Sequence, residues 1–163
     1  MENILKAVAE YNGVKGRCEI IPTYRDFTVI CDYAHTPDAV ENILRSVKEY
    51  TEGRLICLFG CGGNRDATKR PKMAAAAAKY ADRLIITSDN PRNENPEAII
   101  EDILKGIENS EIPYDVVADR RDAIYYGSAV PHLTMAGPHV CTPEIPRNFI
   151  IPRNIPFILL LTA

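Results

Sequence analysis

Two short apolar runs, each followed by a polar loop and then a helical pattern, constrain this chain more than any other feature. Residues 54–59, with the core Leu-Ile-Cys-Leu-Phe, lead into a loop from Gly60 to Arg70 and an alanine-rich helix expected at about 71–80. Residues 83–88 lead into Asp89-Asn90-Pro91-Arg92 and a helix expected at about 96–107. A further strand is expected at 114–118 and another helix at 120–126. Upstream, 18–23 and 27–31 are rich in Ile and Val and predict two short strands joined by a turn. Thr36 then supplies an N-cap and Pro37 the first residue of a helix whose apolar set is Val40, Ile43, Leu44 and Val47. Strands alternating with helices specify parallel β-α-β units with right-handed crossovers. The expected fold class is therefore α/β, a Rossmann-like, mainly parallel sheet with flanking helices.

The 163 residues suffice for one well-buried core. A net charge of -3 provides no global basic field and argues against a nucleic-acid partner. The cations are local, concentrated between Arg65 and Lys72. The five cysteines are an odd number behind a charged, amphipathic start that is unlike a secretory signal, which predicts a reducing, cytoplasmic setting. Cys57 and Cys61 are spaced C-x3-C, but Cys57 lies inside an apolar run and no second ligand pair follows, so buried thiols are expected rather than a metal site. The apolar run 155–161 is far too short to span a bilayer.

Residues 1–11 predict a helix with Ile4, Leu5 and Val8 on one side, broken by Gly13 and Gly16. Residues 12–126 carry the β-α-β pattern. From 127 to 163 the pattern fails, because Pro131, Pro138, Pro143, Pro146, Pro152 and Pro156 fall there, half of the chain's 12. Each removes a backbone donor and restricts its predecessor, so an irregular tail without a central strand is expected. That would leave an exposed sheet edge at 114–118 and favour self-association.

Three segments carry chemistry. In the first, Gly60, Gly62 and Gly63 permit a sharp turn that presents N–H groups, while Arg65, Lys69 and Arg70 add charge. This suits an anion, although a plain strand-to-helix turn with solvated charges has the same composition. It is neither a Walker A loop nor G-x-G-x-x-G. In the second, Asp89-Asn90-Pro91-Arg92, Pro91 stiffens the loop and holds Arg92, whose planar guanidinium suits a carboxylate. An Asp-Pro turn with a surface arginine is the plainer alternative. In the third, Asp32 can accept from ribose hydroxyls and Tyr33 can stack on a base, or Asp32 caps the next helix beside a buried Tyr33. His35 has no Ser or Cys nucleophile with a convincing elbow beside it, which disfavours hydrolase chemistry.

Several segments in order resemble the C-terminal domain of the Mur ligases, in their diaminopimelate-adding (MurE) branch. They are Asn3-Ile4-Leu5-Lys6-Ala7, Gly16-Arg17-Cys18-Glu19, Asp32-Tyr33-Ala34-His35-Thr36-Pro37-Asp38, the Gly60 to Pro71 loop, Asp89-Asn90-Pro91-Arg92 and Asp119-Arg120-Arg121-Asp122-Ala123. The resemblance implies ATP-dependent amide-bond formation in peptidoglycan synthesis. ATP and Mg²⁺ sit on a central domain, and this third domain closes over them with the incoming amino acid. Residues 1–11 would then be the end of the central domain's last helix. By the same resemblance Arg65, Asp89, Asn90, Pro91 and Arg92 bind meso-diaminopimelate. Asp32, Tyr33 and His35 approach the nucleotide, and Lys69 and Arg70 face its phosphates. The family's Gly-Lys-Thr phosphate loop and carbamylated lysine belong to the central domain and have no counterpart here. Of its closing Gly-Lys-Gly-His-Glu segment only Met135-Ala136-Gly137-Pro138-His139 is similar, without the Lys-Gly pair or the Glu, and no site residue is assigned there.

The chain on its own is thus expected to be an inactive ligase domain that retains parts of two binding sites. A non-catalytic binding or interaction module derived from such a domain is the alternative. A Rossmann dehydrogenase is disfavoured by the missing G-x-G-x-x-G.

Overall fold

The computed structural model describes residues 2–10, 13–23, 25, 27–129, 139–140 and 157–161. Its elements in chain order are α1 (Glu2–Ala9), β1 (Glu19–Ile21), β2 (Thr28–Asp32), α2 (Pro37–Glu49), β3 (Leu55–Phe59), α3 (Lys69–Ala78), β4 (Arg83–Ile86), α4 (Pro96–Leu104), β5 (Tyr114–Val116), α5 (Arg120–Ala129), β6 (His139–Val140) and β7 (Phe157–Leu161). The seven strands form one sheet in the order β1-β2-β7-β3-β4-β5-β6. Only β1 runs antiparallel, against β2, and every other pairing is parallel.

The apolar runs form strands buried on both faces. Leu55, Cys57, Phe59, Leu84 and Ile86 pack with α2, α3 and α4 on one side. Ile56, Leu58 and Ile85 pack with Phe27, Val29, Val117 and Ala123 on the other, where α5 lies. Near-continuous apolar strands are what a doubly covered parallel sheet requires. Thr36 caps α2 by accepting from the Ala39 amide, and Asn95 caps α4 by accepting from the Glu97 and Ala98 amides. Both helices carry proline in the first turn, so their starts lie where the sequence put them.

The tail corrects one expectation. β7 is not peripheral; it fills the slot between β2 and β3, with Leu159 paired to Ile30 on one side and Cys57 on the other. The proline argument does not extend past Pro156. The five residues after it, Phe-Ile-Leu-Leu-Leu, keep every backbone donor and have the composition of a doubly buried strand. The bare edge expected at 114–118 is also corrected, since β6 pairs with Asp115 and Val116. That removes the ground offered for self-association. Residues 130–138 and 141–156, with the Met135 to Pro138 segment, lie outside the described residues.

Helix α1 forms as expected, with Ile4 and Leu5 exposed. No helix among the described residues is long and apolar enough to cross a membrane. Cys57 and Cys61 are buried free thiols, and burial pushes Cys61 up to about 12. No group of three His, Cys, Asp or Glu side chains among the described residues is placed to hold a metal ion.

Candidate functional site

Because the central strands are parallel, their C-terminal ends share one edge, where an open α/β sheet gathers its ligand loops. The loop after β3 and the loop after β4 are neighbours there, since β3 and β4 pair directly. The segment after β2 stands apart by the width of β7, which places β2 and β3 about 10 Å from each other.

The two neighbouring loops are clasped together by their backbones. The Gly63 amide donates to the Asn90 carbonyl at 2.8 Å, and Arg92 Nη1 donates to the Gly63 carbonyl at 3.1 Å. The Asn93 amide donates to Asn64 Oδ1 at 3.1 Å, and the Asn64 amide donates to the Glu94 carboxylate. Asn64 and Arg92 both have positive φ, 53° and 52°, a conformation uncommon outside glycine. Arg92 is therefore held by the opposite loop, as the stiff Pro91 suggested, while remaining an exposed residue. Arg65 and Lys69 are exposed at the same edge. Helix α3 opens at Lys69 with no acidic residue in its first turn, so its positive dipole end adds to theirs.

Arg70 corrects a second expectation. It does not face outward to a phosphate but is 3% exposed beneath the loop. Its Nη2 donates to both oxygens of Glu94 at 2.9 and 2.8 Å, and its Nη1 donates to Asp102 at 3.0 Å. A guanidinium between two carboxylates is a brace, and through Glu94 it reaches the Asn64 amide. Sequence reasoning missed Glu94 and Asp102 because their separation from Arg70 by a strand and a loop leaves no local signal.

The hydrogen bond from Arg70 is the main reason the Glu94 carboxyl lies below the ordinary carboxylate range. Asp102 is lowered too, first by Lys105 and then by Arg70. Both folded-state values lie below the unfolded ones. Their stabilisation is therefore present above a pH of about 4 and is lost as pH falls through the folded values. A Glu94→Gln variant is expected to melt lower than the parent at neutral pH and to lose less of its melting temperature on acidification. Thermal melts across the acid range check this.

At the end of β2, the Asp32 carboxylate accepts from the Cys18 amide at 2.8 Å and from the Ala34 amide at 2.9 Å. Asp32 thus anchors its own turn, and Ala34 rather than Tyr33 is the buried residue. Tyr33 is exposed, with the Arg17 guanidinium 4.6 Å from its ring centre and the His35 ring edge-on at 5.0 Å. His35 Nδ1 lies 2.9 Å from the Tyr33 carbonyl, so that nitrogen carries the proton and donates. An exposed aromatic beside a cation can accept a flat ring by stacking.

The geometry thus offers a cationic, clasped pair of loops and, across β7, an aromatic platform. A protein-family model described as "Mur ligase, glutamate ligase domain" matches residues 16–133. The UDP-N-acetylmuramoyl-L-alanyl-D-glutamate–2,6-diaminopimelate ligase of Clostridioides difficile is 57% identical over 113 residues, 69% of this chain and 23% of that protein. The protein of the same name from Syntrophomonas wolfei is 50% identical over 135 residues, 82% of this chain and 27% of its own. A solved structure of a ligase with this name superposes with a TM-score of 0.67 at 35% identity, covering 96% of this chain and 28% of that one. A folylpolyglutamate synthase from Mycobacterium tuberculosis, complexed with ADP and AMPPCP, shares the fold at 16% identity and a TM-score of 0.57. The chain spans about a quarter of the length of the curated relatives it matches.

Proposed function

Since the chain belongs to the Mur ligase family, as its C-terminal domain, we propose that it serves the ATP-dependent addition of meso-diaminopimelate to UDP-N-acetylmuramoyl-L-alanyl-D-glutamate in peptidoglycan synthesis. The clasped loops after β3 and β4 are the amino-acid end of that reaction. Arg92 and Arg65 take a carboxylate of the diacid. Asp89, Asn90 and Pro91 shape the pocket around it. Gripping that carboxylate aims an amine at an activated acyl group, and orientation of this kind lowers a two-reactant barrier substantially.

The Tyr33, His35 and Asp32 segment meets the nucleotide edge, with Tyr33 as the stacking surface and Lys69 nearest the phosphates. ATP supplies the phosphoryl group that activates the substrate carboxylate. Among the described residues no group of three His, Cys, Asp or Glu side chains is placed to hold Mg²⁺. The chain works in the cytoplasm together with the domains that carry the phosphate loop and the UDP-sugar site. On its own it binds ligand without turning it over.

The observation that carries this proposal is the fixed Arg92, pinned to the Gly63 carbonyl on a loop that abuts a second cationic loop. An Arg92→Gly variant tests it, because glycine suits the φ of 52° there and only the side chain is lost. Calorimetric titration with meso-diaminopimelate is expected to give saturable heat for the parent, weaker heat with lysine, and none for Arg92→Gly, which should still melt cooperatively, a little below the parent because the contact with Gly63 is lost. Equal binding by parent and variant would sink the assignment of Arg92.

A further inference from the structure

We propose that Arg120 is the positioning residue of this site, holding Asp89 and the end of β7 in one arrangement; the proposal rests on the amino-acid reading given above. Arg120 is the first residue of α5, and its side chain reaches across the strand ends. Its Nη2 donates to the Leu161 carbonyl, the end of β7, at 2.7 Å. Its Nη1 lies 3.9 Å from Asp89 Oδ1, with the two side chains 21% and 11% exposed. One guanidinium thus serves the strand that joins the two halves of the sheet and the residue that opens the Asp89 to Arg92 loop.

The bases of both side chains are fixed. The Ser88 amide donates to the Ala118 carbonyl at 3.1 Å, directly before Asp89 and two residues before Arg120. Asp119 Oδ1 accepts from the Asp122 amide at 2.9 Å and sets the start of α5. With both backbones held, the facing of Asp89 depends on the guanidinium opposite it.

Two polar atoms are left over. Arg120 Nη1 and Asp89 Oδ2 are buried with no hydrogen-bond partner among the described residues. A buried donor and a buried acceptor left open are each costly, and such groups in a folded protein call for a partner. At 3.9 Å the charges attract without a hydrogen bond, so the Asp89 carboxylate, 11% exposed, keeps accepting capacity for the ammonium of an amino acid. A planar fork can bond the Leu161 carbonyl with one nitrogen and face the Asp89 charge with the other, a fixed geometry that a lysine ammonium on a flexible stem does not reproduce. Arg120 therefore acts through Asp89 and does not itself grip the ligand.

A double-mutant cycle on meso-diaminopimelate binding tests this, measured by calorimetry on the full chain with melting temperatures recorded for every variant. Arg120→Gln is expected to weaken binding roughly tenfold, a coupling typical of residues in one polar network. Arg120→Lys is expected to fall close to Arg120→Gln, and it takes over the cycle if the glutamine variant does not fold. In an Asp89→Asn background the effect of Arg120→Gln should vanish, because its route to the ligand is already gone. Arg121→Gln, one residue along and exposed, should bind like the parent. An Arg120 effect of equal size in both backgrounds, or none in either, overturns the positioning role while leaving the amino-acid reading intact. A folded parent that takes up no meso-diaminopimelate overturns that reading and the positioning role with it.

Discussion

A Leu159→Pro substitution is expected to abolish cooperative folding of this chain, although it lies in a segment dense with prolines. Leu159 sits at the middle of β7, paired to Ile30 of β2 and Cys57 of β3. In a parallel strand flanked on both sides, successive residues point their amides alternately to the two neighbours, so every N–H belongs to a ladder. Proline deletes one donor inside the sheet and is confined in natural sheets to edges and bulges. The lost ladder bond leaves a buried carbonyl unsatisfied, at a cost of about 1–3 kcal/mol, and the ring adds a steric conflict. The larger consequence is topological. Among the described residues no strand pairing links β2 to β3 directly, so β7 is the seam between β1-β2 and β3-β4-β5-β6. Against a total stability of about 5–15 kcal/mol, opening that seam leaves little margin. Thermal and urea melts check the expectation. A variant that melts as one sharp transition near the parent's temperature would show that β7 is not part of the folded core.

The second large effect lies in the glycine loop and separates residues that look equivalent in sequence. A methyl group on Gly63 would lie 1.9 Å from the Pro91 carbonyl oxygen, and one on Gly60 would lie 2.3 Å from the Thr87 carbonyl oxygen. Both obstacles are backbone, which cannot swing aside as a side chain does. On Gly62 the nearest atom would be 3.8 Å away, an ordinary contact. Gly63→Ala is therefore expected to destabilise by about 3 kcal/mol, the upper part of the overpacking range, and to pry apart the two loops. Gly62→Ala should be tolerated to within about 0.5 kcal/mol, as for a substitution away from any special feature. Urea titration of the two variants with the parent gives the comparison. The same ordering should appear in ligand binding, since the Gly63 amide and carbonyl are what clasp Asn90 and Arg92.

Much of this architecture was legible because its signals are local. Residues 55–59 and 84–86 are continuous apolar runs ending at polar loops, and the helix before the first run begins at the capped Thr36-Pro37 while the helix after the second begins at Pro96. Consecutive β-α-β units place strands side by side, so the adjacency of the glycine loop and the Asp89 to Arg92 loop could be anticipated. The place of β7 could not be read in the same way. Its composition fits a buried strand, but nothing in the order of elements says that the last strand returns to the middle of the sheet. The prolines before it suggested the opposite. Arg70 was misplaced for a similar reason. Its charge is visible in the sequence, whereas Glu94 and Asp102 meet it only once α3 and α4 are packed. Arg120 was visible within a family-like motif, yet its role follows only from the reach to Leu161 and Asp89.

If the edge formed by the loops after β3 and β4 receives the amino acid, the ligand must perturb that edge before any other. Heteronuclear NMR of the labelled chain during titration with meso-diaminopimelate tests it most directly. Concentration-dependent shifts are expected at the amides of Gly62 to Arg65 and of Ser88 to Arg92, apart from Pro91, with little change at Lys48, Asp82 and Leu55 on the opposite edge. A folded spectrum that stays unchanged at saturating ligand, or shifts confined to that opposite edge, would contradict it.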